Sequence, residues 1–362
     1  MPCVLFSLRF FILGFFKFSF HGFIFFVFFV YCLLNQLNQH PHTPSREKKK
    51  RLLIYMNRVE HILNTIQMAT TSNERRKTRV GIVGFGKVGQ FLVKTIREDP
   101  EISRNVEIAF VWNRTQSRMI GSVPKELQLE HLENAIQRKP DLIVEVADPK
   151  ISETFAADWL LHCDYMIGSP SGMASKGMEK MISSASSNPG NHGLYIPSGA
   201  LWGAADIQKM ADRNTLASLS ISMAFHPSSL KRVFGDLAIS MKRHVKADNT
   251  TNGPVTVYSG PVRALCPMAP NNVNTMAAAA LAAHTLGFDK VHGELIVDSS
   301  LDAHVITVDA RGHPRPDGSC FRAVSTRHNP AQHGAVTGSA TLVSFVSSML
   351  RANGRGRGIH FC

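Results

Sequence analysis

Cysteine is scarce in this chain and shows none of the spacings that bind metals or build a disulfide framework. The six cysteines lie at positions 3, 32, 163, 266, 320 and 362, and no two of them form a CxxC pair. Structural zinc sites and small disulfide-bonded domains need closely spaced cysteines, so both are excluded. Free thiols fit a reducing compartment, and we expect a cytoplasmic protein without a bound metal.

The body of the chain also lacks internal repeats and any basic helix interleaved with aromatic residues. The net charge of +13 belongs mainly to residues 1–78, which carry 11 lysines and arginines against three acidic residues. Residues 79–362 carry 29 basic and 24 acidic residues, which is close to balance. The basic character is therefore no argument for a nucleic-acid partner.

Residues 1–78 form a leader that has no small-residue cleavage site, which argues against a removable signal peptide. Twelve of the 22 phenylalanines lie within residues 1–30. The segment 18–34 is about long enough to span a bilayer, and the basic cluster 48–51 would fit the cytoplasmic side of a membrane anchor. We favour a spurious or alternative upstream extension, because Met68–Glu74 looks like an ordinary initiation region before the first strand. We leave the leader out of the fold prediction in either case.

The most informative segment is Arg79–Gln90, which reads as a buried strand, a G-x-G-x-x-G loop and the start of a helix. Gly84 permits the tight turn, Gly86 lets the backbone approach a diphosphate, and Gly89 lets the helix pack close to the strand. A diphosphate would lie on the free N–H groups at the helix start. The sequence predicts a dinucleotide site whose contacts in this loop come from Gly84, Gly86, Lys87, Val88 and Gly89.

The next strand, Val106–Trp112, lacks the acidic residue that usually ends it in NAD-binding folds. Asn113 and Arg114 follow the strand instead. A carboxylate there would repel a 2′-phosphate, whereas a guanidinium pairs with it. We therefore expect NADP or NAD as the cofactor, with NADP slightly favoured, although Arg114 could also be an ordinary solvated arginine.

Strands and helices alternate from residue 79 to residue 197, which is typical of an α/β doubly wound parallel sheet of the Rossmann type. The sequence pattern changes at about residue 198. Residues 198–332 show strand-like alternation around one alanine-rich helix, and we expect a smaller α+β substrate and dimerisation domain there. The segment 333–362 has a helical pattern, and we expect this helix to complete the first domain.

With these segments in place, the body resembles the L-aspartate dehydrogenase family, in particular its animal members, the aspartate dehydrogenase domain-containing proteins. The resemblance covers Arg79–Cys362 and none of the leader. The motifs that carry it are Val80–Gly89, Trp112–Arg114, Val144–Ala147, Ser198–Gly203, Gly260–Arg263, Asn272–Asn274 and His304. The later motifs are more specific than the glycine loop.

The resemblance implies oxidative deamination of L-aspartate to iminoaspartate, which water converts to oxaloacetate and ammonia. It implies that Asn274 contacts the nicotinamide cofactor and that His304, thirty residues later, is catalytic. Gly172 aligns with a cofactor-contacting position that is usually alanine in microbial members. A homodimer is also implied.

A dicarboxylate substrate needs cationic partners, and three residues that follow strand-like segments are candidates. Arg263 is the strongest, because a guanidinium grips a carboxylate with two hydrogen bonds. Lys150 and His226 are the other two. Two alternative functions remain open from the sequence. One is an NAD(P)-dependent reductase of another small imino or keto acid, and the other is a non-catalytic NADP-binding sensor.

Overall fold

The structure is a computed structural model that describes residues 76–188, 190–247, 253–352 and 354–362. The chain divides into two units, Met1–Glu74 and Arg75–Cys362. The predictions for the leader, including a membrane anchor at residues 18–34, lie outside the described residues. Within the described ranges, no helix combines the length and the apolar character that crossing a bilayer requires.

The second unit contains two β-sheets. The strands are β1 Thr78–Val83, β2 Val106–Trp112, β3 Gln128–Leu129, β4 Leu142–Glu145, β5 Asp164–Ile167, β6 Gly193–Ile196, β7 Leu216–Phe225, β8 Val255–Pro261, β9 His292–Val297, β10 Ala303–Gly312, β11 Arg322–Pro330 and β12 Gly358–Phe361. The helices are α1 Lys87–Glu98, α2 Pro100–Asn105, α3 Pro149–Trp159, α4 Lys176–Ser187, α5 Ala204–Asp212, α6 Gly235–Ala247, α7 Val262–Met268, α8 Asn274–Ala282, α9 Gly287–Lys290 and α10 Ser339–Arg351.

The first sheet has seven strands in the order β12-β6-β5-β4-β1-β2-β3, and all neighbouring strands run parallel. The strand order reverses its direction between β1 and β4, as in a dinucleotide-binding fold. Every residue of β4 is buried, because helices cover both faces of a central parallel strand. The predicted Rossmann-type sheet is therefore confirmed.

The second sheet has five strands in the order β11-β10-β7-β9-β8. It is mixed, since β7 and β9 pair parallel and the other neighbours pair antiparallel. Side chains along β10 and β7 alternate between buried and partly exposed positions, as expected for a sheet with one covered face. This sheet confirms the predicted smaller α+β part.

The end of the chain departs from the prediction of a helix over 333–362. Helix α10 occupies only Ser339–Arg351, and β12 then joins the first sheet beside β6. The glycines at positions 354, 356 and 358 all adopt positive φ, which lets the chain turn from the helix into the strand. The C-terminal segment thus completes the first sheet with a strand as well as a helix.

Candidate functional site

A cavity of about 300 Å³ lies at the carboxyl ends of the first sheet's strands, where ligands bind in such folds. The first sheet contributes the loops that follow β4, β5 and β6, and the second sheet contributes residues of β7, β10 and β11. The lining residues used below are Lys87, Val88, Ala147, Ser169, Phe225, Asn272, Asn274, His304, Asn329, Thr337, Gly338 and Thr341.

The glycine loop between β1 and α1 fits a diphosphate. Gly84 has φ +113°, a backbone conformation that favours glycine. A Cβ on Gly89 would come within 1.9 Å of the Gly84 carbonyl oxygen, whereas a Cβ on Gly86 would meet nothing within 4 Å. No side chain caps the start of α1, and its first turn has no acidic residue. The free N–H groups of this helix start therefore suit an anion.

Asn113 and Arg114 lie directly after β2, beside the glycine loop. The Asn113 side-chain carbonyl accepts a hydrogen bond from the Phe85 backbone N–H at 3.0 Å, so it fastens the end of β2 to the loop. Arg114 is exposed. The two residues occupy the edge of the site at which the sequence predicts the cofactor's ribose.

His304 lies on β10 and is only 5% exposed. Its Nε2 donates a hydrogen bond to the Ala335 carbonyl oxygen at 2.9 Å, and its ring packs edge-on against Phe225 at 4.7 Å between centroids. Because a carbonyl only accepts, Nε2 must carry a proton, and in the neutral ring Nδ1 carries the lone pair. Burial lowers the pKa of His304 below its ordinary value, and the charge of Lys87 lowers it further, against the opposing effect of the Ala335 hydrogen bond.

Lys87 connects the glycine loop to the neighbourhood of His304. It is the first residue of α1, and its Nζ donates to the Thr337 carbonyl oxygen at 3.2 Å. Among the described residues that line the cavity, Lys87 is the only lysine or arginine. The sequence placed Lys87 in the cofactor loop, and the structure brings it to the cavity as well.

Asn274 is the first residue of α8 and lines the cavity. Its side-chain carbonyl accepts a hydrogen bond from the Ser171 backbone N–H at 3.1 Å. Asn274 therefore binds a backbone N–H of the 3₁₀ turn Pro170–Ala174, and no side chain caps the start of α8. This contact holds the loop after β5 against the start of α8.

Arg263, the strongest substrate candidate from the sequence, does not line the cavity. Its guanidinium donates to both carboxylate oxygens of Glu179 at 2.9 Å, to Asp289 at 2.6 and 2.9 Å, and to the Ala174 carbonyl. Its donors are thus taken by two acidic side chains, and we do not assign it to the substrate. Sequence reasoning missed these partners because they lie 84 and 26 residues away.

Three more predicted residues, Lys150, His226 and Gly172, also lie outside the cavity lining. Lys150 is exposed in the first turn of α3. His226 stacks on His333 with 3.8 Å between ring centroids. Gly172 packs against Pro149, where an added Cβ would come within 2.6 Å of the proline Cβ. Glycine therefore fits this loop, and an alanine at this position would not fit without a shift.

Sequence reasoning assigned no role to Glu145, the last residue of β4. Its carboxylate is fully buried and accepts hydrogen bonds from the backbone N–H groups of Ala147, Asp148 and Ser169 and from the Ser169 hydroxyl, at 2.6–3.2 Å. Burial raises the pKa of Glu145 to about 7, although these hydrogen bonds oppose the shift. Glu145 therefore ties together two loops that line the cavity.

Comparison with known proteins identifies the family of this chain. A family model described as "Homoserine dehydrogenase, NAD binding domain" matches residues 84–196, and one described as "Aspartate dehydrogenase, C-terminal" matches residues 206–350. The aspartate dehydrogenase domain-containing protein of Xenopus tropicalis is 44% identical over 293 residues, covering 80% of this chain and all of that protein. The namesake from Danio rerio is 46% identical over 287 residues, covering 78% of this chain and 98% of that protein. The chain belongs to the aspartate dehydrogenase domain-containing protein family.

More distant relatives lie among enzymes of microbial origin. The L-aspartate dehydrogenase of Methanocella arvoryzae is 24% identical over 259 residues, covering 70% of this chain and 90% of that enzyme. The crystal structure of aspartate dehydrogenase from Thermotoga maritima superposes with a TM-score of 0.53 at 20% identity, covering 76% of this chain and 95% of that one. The superposition supports the fold. Family and domain models confirm the expected class, an NAD(P)-dependent amino-acid dehydrogenase.

Proposed function

We propose that this protein catalyses the NAD(P)-dependent oxidative deamination of L-aspartate to oxaloacetate and ammonia, with His304 as the acid–base residue. The observation that carries the proposal is the position of His304. It lies in the wall of a cavity that also contains the start of α1, where a dinucleotide's diphosphate fits. A binding module without turnover has no need for a neutral, oriented imidazole at this place.

The residues present fit a nicotinamide dinucleotide. The glycine loop and the free N–H groups of α1 would hold its diphosphate, and Asn274 would contact it from the start of α8. When bound, the nicotinamide ring supplies the acceptor for the hydride that leaves the substrate's Cα. The protein's own part is to orient the substrate and to move its protons.

His304 has the protonation state that deamination requires. The substrate amine must lose a proton before its lone pair can form the C=N bond, and Nδ1 of neutral His304 is the atom that can accept that proton. The hydrogen bond from Nε2 to the Ala335 carbonyl fixes the ring's orientation and tautomer. The same group, once protonated, can return its proton while water adds to the imine carbon.

Lys87 supplies positive charge at the cavity. Its first-turn position on α1 suits the cofactor's diphosphate, as the sequence predicts, while the contact of its Nζ with Thr337 brings the charge towards His304. An anionic substrate is attracted to such a charge inside a partly enclosed site. We expect Lys87 to balance negative charge from both the cofactor and the dicarboxylate.

The test is absorbance at 340 nm with the full-length chain and L-aspartate, with NAD and NADP supplied separately. Aspartate-dependent reduction is the expected result, and oxaloacetate plus ammonia should run the reaction backwards. His304→Ala should lower turnover by about 10²–10⁴-fold with little change in cofactor affinity. His313→Ala is the matched control, because His313 is exposed and lies outside the cavity lining. A wild type that binds cofactor but is inert in both directions would overturn the substrate assignment.

A further inference from the structure

Asn329 lies directly opposite His304. The two residues are paired in the antiparallel strands β10 and β11. Directly opposite residues share one face of a sheet, with Cβ atoms about 4.5–5.5 Å apart. Both residues line the cavity, and Asn329 is only 1% exposed. A polar side chain is thus buried beside the proposed acid–base residue.

The Asn329 amide uses one of its two ends. Its Nδ2 donates to the Thr341 hydroxyl at 3.1 Å, while its Oδ1 is buried and has no hydrogen-bond partner among the described residues. Asn272 in the same wall differs, because its Oδ1 accepts from the Lys231 N–H and its Nδ2 donates to the Ser229 carbonyl. A buried carbonyl without a hydrogen bond destabilises the protein, and a ligand that brings a donor removes that cost.

We propose that Asn329 is a substrate-binding residue whose Oδ1 accepts a hydrogen bond from the substrate's α-amino group and holds it beside His304. The inference rests on the proposed function, since it requires an amino-acid substrate. The substrate's carboxylates offer no donor to Oδ1, whereas an α-ammonium group offers three. Two acceptors, Asn329 Oδ1 and His304 Nδ1, would then share the amine, one to orient it and the other to take its proton.

The test compares a ligand that has the amine with one that lacks it. In Asn329→Leu, which removes the acceptor at similar size, KM for aspartate should rise about 10- to 100-fold, the effect of losing a hydrogen bond to a charged group. The inhibition constant of succinate, a dicarboxylate without an amine, should change less than twofold. Asn329→Asp keeps an acceptor and should stay nearer to the wild-type KM than Asn329→Leu does.

Thr326→Val is the matched control, because Thr326 is an exposed residue of the same strand and lies outside the cavity lining. Its KM for aspartate should stay within about threefold of the wild type. If Asn329→Leu lowers the melting temperature because the leucine does not fit, Asn329→Ala replaces it as the variant that lacks the acceptor. It is measured alongside. Asn329→Leu and Asn329→Ala should both raise KM for aspartate and leave the inhibition constant of succinate nearly unchanged.

Two results would overturn the inference while the proposed function stands. One is a wild type that oxidises aspartate while neither removal of the Asn329 acceptor changes its KM. The other is an equal loss of affinity for succinate and aspartate, or a larger loss of aspartate affinity in Asn329→Asp than in Asn329→Leu. Either result would mean that the Asn329 amide binds a carboxylate of the substrate and not its amine. A wild type that oxidises no aspartate with either cofactor would instead overturn the proposed function, and this inference with it.

Discussion

At the scale of single residues, the state of His304 depends on a few neighbours. Burial and the charge of Lys87 both disfavour its imidazolium form, and the pKa of His304 is therefore lowered. A lowered pKa keeps the ring neutral at pH 7 and leaves Nδ1 free to accept a proton. The base is lost only when the pH falls through that lowered value.

Replacing Lys87 should therefore change the pH dependence of turnover. In Lys87→Met the lysine charge is gone, so the pKa of His304 should rise towards 6.5, and the acidic limb of the kcat profile should move to higher pH. The measurement is kcat for aspartate oxidation between pH 5 and 8 at saturating cofactor. Lys94→Met, on the exposed side of α1, is the control and should leave the limb in place. If the acidic limb does not move, the charge of Lys87 does not affect the pKa of His304.

Arg114 decides the predicted choice of cofactor. It is exposed after β2, at the edge where the ribose of a dinucleotide is expected. If its guanidinium pairs with a 2′-phosphate, Arg114→Ala should lower kcat/KM for NADP about 10-fold or more and leave the value for NAD nearly unchanged. Arg104→Ala is the control, because Arg104 precedes the opposite end of β2. An equal effect of Arg114→Ala on both cofactors would remove the preference for NADP.

Residue types alone did not predict which side chains and backbone groups contact the candidate site residues. The sequence suggested Arg263 for the substrate because an arginine follows a strand there, but Glu179 and Asp289 occupy its donors. Asn329 gave no signal, since it lies in a polar strand whose other residues are largely exposed. His304 could be named only through the family motif. Its partner, the Ala335 carbonyl, comes from a loop that no periodicity predicts.

At the scale of elements, the strands that the sequence predicted best are the buried ones. Strands β1, β4 and β5 each contain four consecutive buried residues, most of them apolar, because a central parallel strand is covered on both faces. Strands β3, β9, β11 and β12 were missed. β11 is an edge strand rich in polar residues, and β12 follows a glycine-rich turn that reads as a loop.

The start of α1 makes a sharp prediction about its two glycines. Gly86→Ala should fold normally, because φ is −79° and the added Cβ meets nothing within 4 Å. It should still weaken cofactor binding about 10-fold or more, because the methyl group takes space where a diphosphate approaches the backbone. Gly89→Ala would bring a Cβ within 1.9 Å of the Gly84 carbonyl and should destabilise the fold by about 1–3 kcal/mol.

Thermal unfolding and cofactor titration by fluorescence, run on both glycine variants, separate the two effects. The expected pattern is a wild-type melting temperature with weak binding for Gly86→Ala and a lowered melting temperature for Gly89→Ala. Wild-type binding by Gly86→Ala would mean that the diphosphate does not approach this residue.

At the scale of the whole molecule, the cavity is built from segments that lie far apart in the chain. Lys87 contacts Thr337 across 250 residues, and Ser171 contacts Asn274 across 103. Local patterns predict which elements form, but they do not say which side chains of two sheets meet at one wall. The general place of the site could be predicted, because ligands bind at the carboxyl ends of parallel strands. The pairings within it required the structure.

Glu145, which holds two loops of the cavity together, also makes the stability of the fold depend on pH. Burial raises its pKa from 4.5 to about 7 in the folded state, so the folded protein binds this proton more tightly than the unfolded chain does. A raised pKa contributes stability that is fully present below pH 4.5 and is lost as the pH rises through about 7. The loss over that window is about 3 kcal/mol.

Comparison with Glu145→Gln isolates this contribution, because glutamine resembles the protonated carboxyl group and does not titrate. The free energy of unfolding, measured by urea titration at several pH values, should fall for the wild type relative to the variant as the pH rises from 4.5 to 7. Glu153→Gln, on the exposed side of α3, is the control and should follow the wild type. A difference that stays constant across this window would mean that the four donors around the carboxylate keep it ionised, with burial contributing less than they do.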